Sequence, residues 1–260
     1  MKNIRTAFYT GTSGLVLPVK NKLEYPEAFR EKSRLHYYST LFNTIEVNSI
    51  FYKLPLRKTV ERWSHEVADD FRFTFKLSKE ITHCPDLNFE RSAIERFFEV
   101  LDVPEIKRGC ILIQFPGKIT ADFTSKLKKL LSHISKFTVN NQWKLAIEFR
   151  HISWYIEQTI RLLKQYDATC VIHDIKPFTT ELLYPSDIIY IRFHGTEKNY
   201  RGSYSDELLT AYSVKIKNLL KEGREVYAYF NNTLGPAVQN LITLNNLVKQ
   251  SPPSHDQELT

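Results

Sequence analysis

Short runs of β-branched and aromatic residues alternate with amphipathic helical patterns along nearly the whole chain, and this alternation is the strongest limit on its fold. Eight such runs occur, at 6–10, 44–47, 72–76, 110–114, 144–149, 169–173, 188–193 and 225–230. Helical patterns fall at 26–38, 89–101, 121–134, 155–166, 206–220 and 237–249. Asn88, Thr120 and Ser205 stand where N-caps belong, and Gly223 follows the fifth pattern as a terminator. Repeated strand–helix units specify a parallel sheet covered by helices. Eight units in 260 residues favour one closed (β/α)₈ TIM-type barrel over an open doubly wound sheet. No GxGxxG follows any strand, which also disfavours the open sheet. The expected domain is a single α/β barrel over 1–250, with 251–260 a frayed tail. One unit looks defective. Only 174–187 separate the sixth and seventh strands, and Pro177 and Pro185 lie within, so a loop is expected in place of a full helix.

The formal charge is +7. Its densest basic stretches, around Lys126–Lys129 and Lys215–Arg224, sit on amphipathic helices and read as solvated faces rather than a nucleic-acid groove. Three cysteines without CxxC spacing suggest reduced thiols and a cytoplasmic protein. No run of 18 apolar residues occurs and the first residues lack the apolar core of a secretion signal, so neither a membrane partner nor secretion is expected.

Side chains on a strand alternate between faces. In 144–150, Leu145, Ile147 and Phe149 suit the layer under the helices, which turns Ala146, Glu148 and Arg150 inward. The same sorting turns inward Glu46 and Asn48, Thr74 and Lys76, Leu112 and Gln114, Ile172 and Asp174, Tyr190, Arg192 and His194, and Tyr227, Tyr229 and Asn231. Polarity rises toward the C-terminal end of each strand, where (β/α)₈ enzymes keep their active sites. That layer collects three carboxylates (Glu46, Glu148, Asp174) and three cations (Lys76, Arg150, Arg192). A closed salt-bridge plug is one explanation. A ligand site is the preferred one, because apolar plugs stabilise as well as ionic ones.

These residues carry a family resemblance. Gly11-Thr12-Ser13-Gly14, the segment Phe42 to Ser49, Phe51-Tyr52, Lys76, Ile81-Thr82-His83 and Gln114 come in order. Glu148-Phe149-Arg150-His151, Trp154, Asp174, Arg192-Phe193-His194-Gly195, Tyr204-Ser205 and Phe230-Asn231-Asn232 follow. In order and spacing the chain resembles the YecE-like family, domain of unknown function 72. The resemblance implies a (β/α)₈-type barrel and supplies no reaction. Leu15 and Ile50 stand where the family usually has tryptophan and threonine, and Pro116-Gly117 where it usually has a double proline.

The preferred function is a pocket for a small polar, anionic ligand, phosphorylated or sugar-like, in a protein that is a candidate hydrolase. Glu148 or Glu46 would act as base and His194 as acid, with Asp174 beside them. Thr12 and Ser13 would approach an anion, Arg150 and Arg192 would grip it, and Lys76, Asn48, Gln114, Asn231 and Asn232 would add polar contacts. Tyr52, Trp154 and Tyr204 would stack on a ring. No cofactor is demanded. A divalent-metal phosphodiesterase using Glu148, Asp174, His173, His194 and His83 is the weaker alternative. A non-catalytic nucleic-acid or small-ligand binder is the third. Six of eight glycines (Gly11, Gly14, Gly117, Gly195, Gly202, Gly235) follow C-terminal strand ends, marking the same face.

Overall fold

The computed structural model describes residues 8–138, 142–174 and 186–250. Nine strands form two parallel sheets among these residues. The first sheet contains β1 (Phe8–Thr12), β7 (Ile172–His173), β8 (Ile188–Phe193) and β9 (Glu225–Phe230), in the order β1-β9-β8-β7. The second runs β2 (Thr44–Val47), β3 (Arg72–Lys76), β4 (Arg108–Gln114), β5 (Lys144–Glu148) and β6 (Ala168–Cys170). The sheets meet twice. Val171 alone separates β6 from β7, and a bridge pairs Ser13 with Glu46 just beyond β1. The result is a TIM-barrel-like α/β fold.

Helices occupy the connections: α1 (Arg34–Leu41), α2 (Ser49–Tyr52), α3 (Arg57–His65), α4 (Lys79–Thr82), α5 (Arg91–Glu99), α6 (Thr124–Thr138), α7 (Glu157–Gln165), α8 (Asp206–Lys221) and α9 (Ala237–Lys249). Local chemistry sets their ends. In α8 the Ser205 hydroxyl accepts from the Leu208 N–H, and Asp206 and Glu207 complement the positive end of the helix. The outward strand residues Ile45, Val47, Phe73, Phe75, Leu145, Ile147 and Phe149 pack with the helices in one apolar core. A second cluster fills the space between the sheets: Tyr9, Cys110, Leu112, Ala146, Val171, Ile188, Tyr190, Tyr227 and Tyr229. The expected alternation therefore sorts most strands as read.

Several expectations shift. The first strand, expected over 6–10, runs two residues further, to Thr12, and positions 6 and 7 lie outside the described residues. The helix expected over 26–38 is a single 3₁₀ turn at Glu27–Phe29 followed by α1. Helix α3 falls where no helical pattern was assigned, and of its sequence, RKTVERWSH, only Val60 and Ser64 are buried. The strand expected at 169–173 is interrupted at Val171, and its faces are the reverse of those read: Val171 joins the inner cluster, while Cys170 and Ile172 join the outer one. The loop expected between the sixth and seventh strands and the tail over 251–260 lie outside the described residues.

The β1–β2 junction is built by side chains. Asn43 accepts from the Thr10 N–H (3.0 Å) and donates to the Phe8 carbonyl (2.8 Å). The Tyr38 hydroxyl accepts from the Thr12 N–H (2.8 Å) and donates to the Thr44 carbonyl (3.1 Å). Each substitutes for a missing ladder bond, so the Thr10 and Thr12 N–H groups and the Phe8 and Thr44 carbonyls have partners. Gly11 makes this approach possible, because a Cβ there would lie 2.1 Å from the Thr44 oxygen. Gly11→Ala must separate the two strands and is expected to cost more than about 3 kcal/mol in urea unfolding. Gly117→Ala, whose nearest contact would be 3.7 Å away, should stay within about 0.5 kcal/mol of the parent. Equal effects would refute the tight junction.

Candidate functional site

At the C-terminal strand ends one guanidinium ties three strands together. Arg192 ends β8 and is 1% exposed. Its Nη1 donates to Glu148 Oε2 on β5 (2.6 Å), and its Nη2 donates to Glu46 Oε1 on β2 (2.7 Å). Glu46 accepts further bonds from the Ser13 hydroxyl (2.6 Å) and the Tyr190 hydroxyl (2.5 Å). Glu148 Oε1 contacts the Arg150 guanidinium as an ion pair that lacks hydrogen-bond alignment. Both carboxylates are fully buried. Burial alone would push their protons on. Arg192, with Ser13 and Tyr190 at Glu46 and with Arg150 at Glu148, more than offsets it, so Glu46 is held below the usual carboxylate range and Glu148 well below it.

A second motif is fused to the first. The His194 backbone N–H donates to both oxygens of Asp174 (3.0 and 3.1 Å), and His194 Nδ1 lies 3.2 Å from Asp174 Oδ1. On its other side, Nε2 faces Arg150 Nη2 at 3.0 Å and Arg192 Nη1 at 3.2 Å. Guanidinium nitrogens can only donate. Nε2 is therefore the acceptor and Nδ1 carries the proton toward Asp174. Burial holds His194 below its ordinary value, which agrees with a neutral ring. Tyr204 donates to Asp174 and accepts from the Gly195 N–H (2.6 Å), so the aspartate is clamped from three directions. Gly195 adopts φ +105°, and a Cβ there would meet the Arg201 carbonyl at 2.0 Å, which explains glycine after His194.

Lys76, at the end of β3, sits with Nζ 4.1 Å above the Phe51 ring. His83 meets the same ring edge-on at 5.0 Å. His173, expected to face outward, is buried: its Nε2 bonds the Phe149 carbonyl (3.0 Å) and its ring meets His194 edge-on at 5.8 Å. It shares the inward face of Val171, the opposite phase to the one read.

The structure thus brings together Glu46, Glu148, Asp174, Arg150, Arg192, His194 and Ser13, with Lys76 within their electrostatic reach. Asn48 follows β2 as the N-cap residue of α2, with a buried Oδ1 that has no hydrogen-bond partner. Other expected ligand groups are committed elsewhere. The Thr12 hydroxyl bonds the Gly14 carbonyl (2.6 Å). Gln114 donates to the Phe115 carbonyl (2.9 Å). Trp154 donates to the Ile119 carbonyl (2.7 Å) and stacks on Phe149, so its ring packs the outer core. Asn232 bonds the Gly202 carbonyl and Asn240. Asn231 is half-buried, and Tyr52 is 69% exposed beside Lys79. Tyr190 and Tyr38 were not expected at the site. Alternation already placed Tyr190 inward, one turn of the pleat below Arg192. Among the described residues no group of three or more His, Cys, Asp or Glu side chains is arranged to hold a metal ion. No helix there is long and apolar enough to cross a membrane.

Arg192→Met would leave Glu46 and Glu148 short of their main cation, and a loss of about 3–5 kcal/mol is expected. In Glu46→Gln/Arg192→Met both charges go together, so the pair should lose at least about 1 kcal/mol less than the sum of the single losses in urea unfolding. Strict additivity would mean that the two side chains do not couple.

Known proteins share this architecture. A DUF72 family protein of Enterococcus faecalis V583 superposes with a TM-score of 0.76 at 21% identity, covering 94% of this chain and 96% of the other. A DUF72 family protein of Thermotoga maritima MSB8 does so at 0.73 and 26%, covering 94% and 99%. In sequence, UPF0759 protein YunF of Bacillus subtilis (strain 168) is 23% identical over 81% of this chain and 84% of its own. UPF0759 protein YecE of Escherichia coli (strain K12) is 29% identical over 148 residues, so the chain spans about half the length of that relative (53%). The profile described as "Protein of unknown function DUF72" matches residues 9–259, and the chain belongs to that family.

Proposed function

We propose that the two sheets form one closed eight-stranded barrel, a single domain over 1–250, whose mouth binds a small anionic, hydroxyl-bearing ligand such as a sugar phosphate. One observation carries this reading. Buried polar atoms are nearly always hydrogen-bonded. Among the described residues the orphaned side-chain atoms are Thr169 Oγ1, Asn232 Oδ1 and five from residues at the C-terminal strand ends: Asn48 Oδ1, Glu148 Oε1, Arg150 Nε, His173 Nδ1 and Arg192 Nε. Two of these five are donors. Glu148 Oε1 and Asn48 Oδ1 are acceptors, and so is His173 Nδ1 once Nε2–H serves the Phe149 carbonyl. A bare phosphate only accepts. A polyol both donates and accepts, which matches the mixed set, while Arg150 and Lys76 add charge for an anionic group.

The chemistry assigns roles different from a carboxylate base with a histidine acid. Glu46 and Glu148 are held ionised by arginines, which suits anchors better than proton carriers. His194, neutral and oriented by Asp174, has its lone pair on the mouth side and serves as proton acceptor once an anionic ligand draws Arg150 away. Arg150, with a 17% exposed side chain, is the one of the two arginines that solvent reaches.

Thermal unfolding with sugar phosphates, free sugars and inorganic phosphate tests this. A ligand at 100 times its Kd adds about 2.7 kcal/mol. Stabilisation is expected to be greatest for compounds bearing both hydroxyls and an anion, and to vanish in Arg150→Ala and in Asn48→Ala. No response to any compound, or an undiminished response in both variants, would overturn the assignment.

A further inference from the structure

We infer that Lys76 is an imine-forming lysine, whose Nζ condenses with the carbonyl carbon of an anionic, hydroxylated ketone or aldehyde. This rests on the ligand class proposed above and adds the reacting atom. A half-buried ammonium is ordinarily compensated by a carboxylate. Lys76 forms no hydrogen bond or ion pair among the described residues, and its contact is the face of Phe51 at 4.1 Å. The nearby carboxylates, Glu46 and Glu148, are already occupied by Arg192 and Arg150. The charged groups acting on Lys76 are Arg192, Glu148, Glu46 and Arg150, and His83 on α4's C-terminal side feels it in turn. A desolvated amine beside other cations is the arrangement that activates lysine as a nucleophile. Burial first, then Arg192, bring its pKa down to about 8. At neutral pH that raises the uncharged fraction about two orders of magnitude over an ordinary surface lysine near 10.4.

A base stands beside it. His83 Nδ1 lies 2.8 Å from the Thr82 hydroxyl, which itself donates to the Ser78 carbonyl. The hydroxyl therefore accepts the Nδ1 proton, and Nε2 keeps its lone pair. Burial and Lys76 lower His83 to about 4, so the ring is neutral at physiological pH. His83 also lines a groove of about 680 Å³ with Tyr52, Leu54, Ser78, Lys79 and Cys84.

The step balances. The Nζ lone pair forms the C–N bond, and the carbonyl π pair moves to oxygen, which is protonated. Both protons of the Nζ amine pass in turn to that oxygen, with the His83 ring as relay, so that it leaves as water and C=N remains. Amine and carbonyl become imine and water, with no oxidant or reductant. The bound imine then acidifies the neighbouring C–H or C–C bond, so the reaction class is enamine chemistry next to a carbonyl.

The test is reductive trapping with dihydroxyacetone phosphate and cyanoborohydride at neutral pH, read by peptide mass spectrometry. Lys76 is expected to be labelled at least about tenfold above the median lysine, with a rate that rises through a pH near 8, and Lys76→Arg should abolish that label while remaining folded. Labelling spread evenly over the surface lysines, or Lys76 labelling that rises only near the ordinary lysine pKa, would overturn the imine. Thermal shift of the parent with the same compound separates the two proposals. A retained shift without Lys76 labelling refutes the imine and leaves the pocket standing, whereas loss of both refutes the pocket as well.

Discussion

The fold turns on one buried guanidinium. Arg192 lies between two buried carboxylates on strands of the opposite sheet. Each ion alone would be costly to bury, at several kcal/mol. Together they share charge and hydrogen bonds, and their requirement for one another fixes the distances among the ends of β2, β5 and β8. Tyr190 and Ser13 complete Glu46. Just below, Tyr229 spans the interior to Thr44 and Thr74 at 2.7 Å each. Polar side chains therefore tie the two sheets together above and within the tyrosine-rich interior, while the outer apolar core supplies most of the burial.

That division of labour explains why the strand ends suit chemistry. Paired ions of fixed geometry offer a preorganised field to whatever enters. Satisfying Arg192 consumes both carboxylates, so Lys76 is left with only an aromatic face and the arginine Nε groups are left without acceptors. The same arrangement that holds the sheets together produces the unsatisfied atoms that a ligand would meet. His194 and Asp174 are attached through Arg150 and Arg192, so a change at the mouth reaches them through one contact.

Much of this was legible from strand periodicity. The period of two is strict wherever a strand is continuous, and it placed Glu46, Lys76, Glu148, Arg192 and His194 on one face correctly. It failed on the run 169–173, where the alternation is kept but both faces carry apolar residues, so nothing in the sequence set the phase and Ile172 and His173 were assigned to the wrong sides. Loops have no period. Nothing in the local sequence distinguishes an exposed aromatic such as Tyr52 from Trp154, whose indole packs on Phe149, or a free amide from Asn232, which is spent on Gly202 and Asn240. The seam made by Asn43 and Tyr38 was invisible for another reason: it joins residues more than 25 positions apart through side chains in place of a ladder.

The ionisation state of the two glutamates is the most direct test of the central claim. Carboxyl ¹³C NMR across a pH titration reads Glu46 and Glu148 in the folded protein. With folded pKa values below the unfolded one, their contribution to stability is complete above the ordinary glutamate value near 4.3 and is lost as pH falls through the lowered folded values. Both resonances should stay at the ionised shift through about pH 4.3 and change only well below it or on acid unfolding. Titration of either carboxyl at or above about 4.3 in the folded state would contradict the buried ionic clasp.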